Sequence, residues 1–214
     1  MQALNQALDA VLPGARLQAQ ALPACTELQL YLLQADYPVE NLDTDTAMRV
    51  MNNPLYWLFC WASGHALARQ ILSAPELVAG KVVMDVGAGS GVVAIACALA
   101  GAERVIASDI DPLAQQAMQA NAVLNQVELQ IIGDYRDYPG KLDLIILADV
   151  LYDRDNIPLL QALLQRAPAM LLADSRVKNF SYPGLVKTAT CDGETFPNLG
   201  GFDEFFEVNI YQSV

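Results

Sequence analysis

From Lys81 onward the chain alternates short aliphatic runs with longer stretches whose apolar residues recur at helical spacing. That alternation predicts strands at Val82–Val86, Arg104–Ser108, Leu129–Ile132, Leu142–Ala148 and Met170–Ala173. Helices are expected over Gly91–Ala100, Pro112–Leu124 and Ile157–Arg166, and a last strand over Glu204–Tyr211, where apolar and polar residues alternate. Asp111-Pro112 is a helix cap followed by proline at the first helical position. Leu142–Ala148 is nearly continuous in Leu and Ile, as a strand buried on both faces must be. Strands and helices in this order specify an α/β fold built on a doubly wound, mostly parallel sheet with helices on both faces.

The first 50 residues are less regular. A helix is expected over Met1–Leu12, ended by Pro13-Gly14, a strand over Leu28–Leu33, and a loop or polar helix start over Glu40–Arg49. Trp61–Leu72 then shows helical spacing, stopped by Ser73 and Pro75. The chain divides on this reading into a small N-terminal extension, residues 1–50, and a main domain, residues 51–214.

Composition narrows the function. Twelve Lys and Arg against 24 Asp and Glu give a net charge of −12, which argues against nucleic acid as a partner. A hydrophobic content of 54% excludes disorder, and the longest uncharged stretch, Val86–Ala102, is glycine-rich and too short to span a membrane. Cys25, Cys60, Cys97 and Cys191 form no CxxC pair, and a single histidine, His65, cannot assemble a metal site. Met1–Leu12 lacks the basic start and apolar core of a signal peptide. The expectation is a cytoplasmic, monomeric protein with no metal, reduced cysteines and a packing or pocket-lining His65.

In doubly wound sheets ligands bind at the carboxyl ends of the strands. The first strand of the main domain ends in Asp85-Val86-Gly87-Ala88-Gly89-Ser90-Gly91, whose glycines allow a tight turn and close backbone approach ahead of a helix N-terminus. Gly89-Ser90-Gly91-Val92-Val93-Ala94 also reads as a dinucleotide fingerprint, but that register leaves Gly87 unexplained. The second strand ends in Asp109, placed to bind ribose hydroxyls, beside Asp111, which caps a helix. The third ends in Gly133-Asp134, within reach of an adenine amino group. Asp85, Asp109 and Asp134 together describe a site for adenosine carrying an ammonium or sulfonium group.

These residues resemble the class I S-adenosylmethionine-dependent methyltransferases: Asp85-x-Gly87-x-Gly89-x-Gly91 matches their first motif and Asp109 their ribose-binding acid. Asp149-Val150-Leu151-Tyr152 looks like the Asp-x-x-Tyr of seven-strand protein lysine methyltransferases. The aromatic segment Pro54–Ala68 resembles that of the electron transfer flavoprotein β-subunit lysine methyltransferases, and the similarity runs from about Asn53 to Leu164. The resemblance implies a seven-stranded Rossmann-like sheet, S-adenosylmethionine as cofactor held by Trp61, Asp85, Gly87, Gly89, Gly91, Asp109, Asp134 and Asp149, and chemistry at Asp149 and Tyr152. It implies a protein substrate bearing an exposed lysine, with the β-subunit of electron transfer flavoprotein as the leading candidate. Two segments depart from the family pattern where substrate is gripped: Trp61-Ala62-Ser63-Gly64 stands for Trp-Pro-Gly-Gly, and Asp174-Ser175-Arg176-Val177 for an Asp-Pro-Gly-Arg-like turn.

Trp57 and Trp61, four residues apart, are expected on one helix face, packing in the core or walling the pocket. Asp149 would accept a hydrogen bond from the substrate amine and Tyr152 would narrow the channel. The alternatives are a methyltransferase acting on a small-molecule amine, a nicotinamide-cofactor oxidoreductase, for which no Tyr-Lys or His pair stands out, and a non-catalytic partner protein.

Overall fold

The computed structural model describes residues 1–199 and 206–214. Its centre is a seven-stranded sheet of β3 (Val82–Val86), β4 (Arg104–Ser108), β5 (Gln130–Ile132), β6 (Leu144–Ala148), β7 (Ala169–Asp174), β8 (Leu185–Asp192) and β9 (Glu207–Ser213). The spatial order is β5-β4-β3-β6-β7-β9-β8. Strands β3 to β7 run parallel, and β9 lies antiparallel between β7 and β8. The doubly wound, mostly parallel sheet expected from the sequence is the observed one.

Period-two alternation splits each central strand between two cores. Val83, Val105, Ala107, Leu144 and Ile146 point to one face, where they pack with α3 (Ala62–Ser73) and α4 (Val92–Leu99). Met84, Ile106, Ile145 and Leu147 point to the other, against Leu160 and Leu163 of α6 (Ile157–Leu164). The chain winds outward from β3 through β4 to β5 and then returns to place β6 on its other side. That reversal opens a crevice between β3 and β6 at their carboxyl ends.

Residues 1–50 add α1 (Gln2–Val11), an antiparallel hairpin of β1 (Leu17–Leu22) and β2 (Cys25–Leu33), and most of α2 (Thr44–Asn52). Leu28, Leu30 and Leu32 of β2 join the core that holds α3 and α4. The polar stretch read as loop or helix start is resolved by Asp43, whose carboxylate accepts the Thr46 amide (2.8 Å) and hydroxyl (2.9 Å) and so caps α2.

Three elements differ from expectation. β1 reads Leu-Gln-Ala-Gln-Ala-Leu, and its Gln and Ala have little strand propensity, so pairing with β2 determines it. β8 is an outer strand whose residues are all exposed or half-buried, and it carries no apolar run. The final strand begins at Glu207; Glu204 and Phe205, where the expected strand starts, lie outside the described residues.

Candidate active site

The crevice between β3 and β6 is a cavity of about 880 Å³. Its lining includes every residue that the sequence singled out: Trp61, Asp85, Gly87, Gly89, Asp109, Asp134, Asp149 and Tyr152, except Gly91, which sits just behind the lining as the N-cap of α4. Three glycines of the loop adopt left-handed backbone angles, with φ of +73° at Gly87, +53° at Gly89 and +80° at Gly91. At Gly87 a Cβ would also stand 2.9 Å from Val150 Cγ1, so both conformation and space require glycine there.

The loop is pinned from several directions. The Ser108 carbonyl accepts the amides of Gly87 (2.9 Å) and Ala88 (3.1 Å), and Asp109 Oδ2 accepts the Gly89 amide at 2.8 Å. Asp85 is 1% exposed beneath the loop, where Oδ2 accepts the Ala94 amide of α4 at 3.1 Å. Burial outweighs that bond and pushes its carboxyl up to about 7. Asp85 therefore meets α4 first. That bond holds loop and helix together.

Asp109 follows β4 directly and lines the cavity. Its Oδ1 accepts the Asp111 amide at 2.9 Å, so each oxygen carries one backbone bond and keeps a further acceptor position. Burial raises its pKa against the two amide bonds that lower it. Asp134 is otherwise engaged: its carboxylate takes the Arg136 amide at 2.9 Å and forms a forked ion pair with the guanidinium, which holds its carboxyl down at about 2. The expected reach to an adenine amino group therefore competes with Arg136.

Asp149 is the most heavily bonded of these acids. It is buried, takes a left-handed φ of +52°, and accepts four hydrogen bonds. Ser63, at the start of α3, gives its amide to Oδ2 (2.9 Å) and its hydroxyl to Oδ1 (2.7 Å). Ser175, just past β7, gives amide and hydroxyl to Oδ1, both at 2.8 Å. Oδ1 is saturated, and Oδ2 alone keeps room for a substrate donor. Neither serine was singled out as a partner, although both stand at the two departures from the family pattern. A buried carboxylate at a strand end, in need of donors, was the signal.

Tyr152 is half-exposed at the cavity mouth, its ring 5.0 Å from that of Tyr56. Burial and the neighbouring Tyr56 push its phenol up to about 12. Trp57 and Trp61 do not share a helix face. Trp57 is buried in a short helical turn, Tyr56–Leu58, while Trp61 is the N-cap of α3. Phe59 is extended and Cys60 pairs with Phe196 in a β-bridge, which breaks the continuous helix that a four-residue spacing suggested. The Trp61 indole N–H donates to the Tyr56 carbonyl at 2.9 Å, its ring lies 5.1 Å from Phe59, and the Arg176 guanidinium sits 4.9 Å over it.

His65 is buried away from the cavity, with Nε2 2.7 Å from the Pro23 carbonyl and its pKa lowered, chiefly by burial. Cys25, Cys60 and Cys97 are buried and Cys191 half-buried, all as free thiols. Among the described residues no group of His, Cys, Asp and Glu is arranged to hold a metal ion, and no helix is long and apolar enough to cross a membrane.

Residues 66–169 match the family model of ribosomal protein L11 methyltransferase, PrmA. The electron transfer flavoprotein beta subunit lysine methyltransferase of Homo sapiens is 41% identical over 103 residues, covering 47% of this chain and 39% of that protein. The ribosomal protein L11 methyltransferase of Carboxydothermus hydrogenoformans is 48% identical over 69 residues, covering 31% and 23%. The chain thus spans about two fifths or less of the length of these two relatives. Among solved structures, magnesium protoporphyrin IX methyltransferase (ChlM) of Synechocystis, crystallised with bound S-adenosylmethionine, superposes with a TM-score of 0.54 at 19% identity, covering 81% of this chain and 85% of that one. Sheet order and superposition agree: this protein has the fold of the class I methyltransferases, and residues 66–169 are similar in sequence to a methyltransferase domain of the PrmA type.

Proposed function

We propose that this protein is an S-adenosylmethionine-dependent N-methyltransferase acting on a lysine side chain of another protein, with the β-subunit of electron transfer flavoprotein as the leading substrate. The observation that carries the reading is Asp109: a carboxylate at the end of β4, fixed by the Gly89 and Asp111 amides, with one acceptor position left on each oxygen for a ribose hydroxyl. The cavity fits the rest of the cofactor. The glycine loop leaves no side chain in the path of the ligand at Gly87, and Gly133 lines the adenine end. On this reading residues 51–214 are the methyltransferase domain and residues 1–50 an extension of it.

When bound, S-adenosylmethionine supplies an electrophilic sulfonium methyl group. This chain's residues orient the amine, and positioning alone can lower such a barrier by several kcal/mol. A free lysine has a pKa of about 10.4, so the site must select the neutral amine near neutral pH. Asp149 Oδ2 accepts an N–H of the amine and turns its lone pair toward the methyl group. Tyr152, with its phenol near 12, stays protonated and acts as donor and wall rather than base. Tyr56, Trp61 and Tyr152 form an aromatic entrance suited to the hydrocarbon stem of lysine.

Calorimetric titration with S-adenosylhomocysteine and with NAD is the test. Binding of the first and none of the second is expected; the reverse would move the protein to the oxidoreductases.

A further inference from the structure

The glycine loop has one pin that comes from outside the sheet. Asn121 lies on α5 (Pro112–Leu124), is fully buried, and donates from Nδ2 to the Ser90 carbonyl at 2.8 Å. Its Oδ1 accepts the Tyr31 amide of β2 at 2.7 Å. One turn further on, Asn125 bonds Gln29 of the same strand through both its atoms, accepting the amide at 2.9 Å and donating to the carbonyl at 2.6 Å. The edge of β2 not paired with β1 is therefore satisfied by two side-chain amides four residues apart. Of the two, Asn121 also touches the loop.

We propose that Asn121 is a positioning residue that couples the N-terminal hairpin to the cofactor loop, so that cofactor affinity depends on the hairpin being docked. A primary amide suits this role because it donates and accepts at once along one plane. Both atoms are used, and the residue is fully buried. Ser90 sits between two left-handed glycines, and the peptide it shares with Gly91 is held from within the loop by the Gly91 amide on the Ala88 carbonyl (2.8 Å) and from α5 by the Asn121 donor, so the hairpin reaches that peptide through Asn121. Asn125 binds the same strand without reaching the loop, which makes it an internal control. The inference rests on the cofactor reading above.

The coupling is reciprocal, since a ligand that favours the pinned loop must also favour the docked hairpin. In the wild-type protein, S-adenosylhomocysteine should therefore slow hydrogen exchange at the Tyr31 amide, which lies outside the cavity. Asn121→Asp keeps an acceptor for Tyr31 and replaces the donor to Ser90 by an oxygen. It should weaken S-adenosylhomocysteine about tenfold and raise the KM for S-adenosylmethionine, while kcat at saturation changes little. Asn125→Ala should lower thermal stability and leave that KM in place.

Unchanged exchange at Tyr31 on ligand saturation, or equal affinity in a folded Asn121→Asp variant, would overturn the coupling. A wild-type protein that binds no S-adenosylhomocysteine would instead remove the cofactor reading itself. Should Asn121→Asp fail to fold, the exchange measurement on the wild type still decides.

Discussion

Ser175 offers the Asp149 carboxylate both its amide and its hydroxyl at 2.8 Å, and Ser63 does the same from the opposite side at 2.9 and 2.7 Å. The acid thereby ties three segments together: the end of β6, the first turn of α3 and the exit of β7. Its left-handed backbone is held by those bonds, a local strain of the kind found at functional sites.

Two effects of Asp149→Ala follow from that clamp. Four buried donors lose their acceptor, so the variant should lose about 3 kcal/mol of stability in urea denaturation. Methyl transfer should be lost, while affinity for S-adenosylhomocysteine is mostly kept, because Asp109 and the glycine loop are untouched. Asp149→Ala working at the wild-type rate would contradict the proposed amine site.

For Asp109 the order of effects reverses. Asp109→Ala should cost roughly 1–3 kcal/mol of cofactor affinity by calorimetry, through the lost acceptor and through release of the Gly89 amide. Turnover at saturating cofactor should recover most of the wild-type rate. Unchanged affinity would mean that the ribose site lies elsewhere.

Stability should fall as pH rises through the weakly acidic range. The Asp85 carboxyl titrates near 7 in the folded protein and near 3.8 when unfolded; the Asp174 carboxyl, raised chiefly by burial, titrates near 6. Between those values the folded state holds protons that the unfolded state has released. The stabilisation is complete below about pH 4 and is lost by about pH 7, an effect of at most about 7 kcal/mol for the two groups together. Asp85→Asn should flatten the slope. Urea midpoints that rise between about pH 4.5 and about pH 7 would refute the raised values.

What the sequence made legible depended on whether a residue's role is local. Strand ends, glycine turns and caps are set by neighbours in the chain, so Asp109, Gly87 and the cap at Asp111 were readable as they stand. Asp149 was readable as a buried acid, but its partners Ser63 and Ser175 lie 86 and 26 residues away and required the fold. Asn121 looked like an ordinary helix residue until β2 lay beside it. Trp57 and Trp61 show the opposite failure, where a four-residue spacing suggested one helix and extended residues separate them.

The substrate offers the last test, and it turns on charge and on the entrance. With a net charge of −12, long-range attraction should speed encounter with a lysine-bearing loop, although it is screened beyond about 8 Å at physiological salt. If the proposed substrate, the β-subunit of electron transfer flavoprotein, is the acceptor, its methylation should slow as salt rises, mainly through kcat/KM. Tyr152→Phe removes the hydroxyl beside Tyr56 and keeps the ring, so it should lower transfer less severely than Asp149→Ala and leave cofactor affinity in place. Labelled cofactor incubated with lysate from a strain lacking this protein identifies the acceptor. Label on a lysine of one or a few proteins is the expected result. Label confined to the small-molecule fraction would transfer the assignment to a small amine, for which neither the salt dependence nor an entrance open to a protein loop is required.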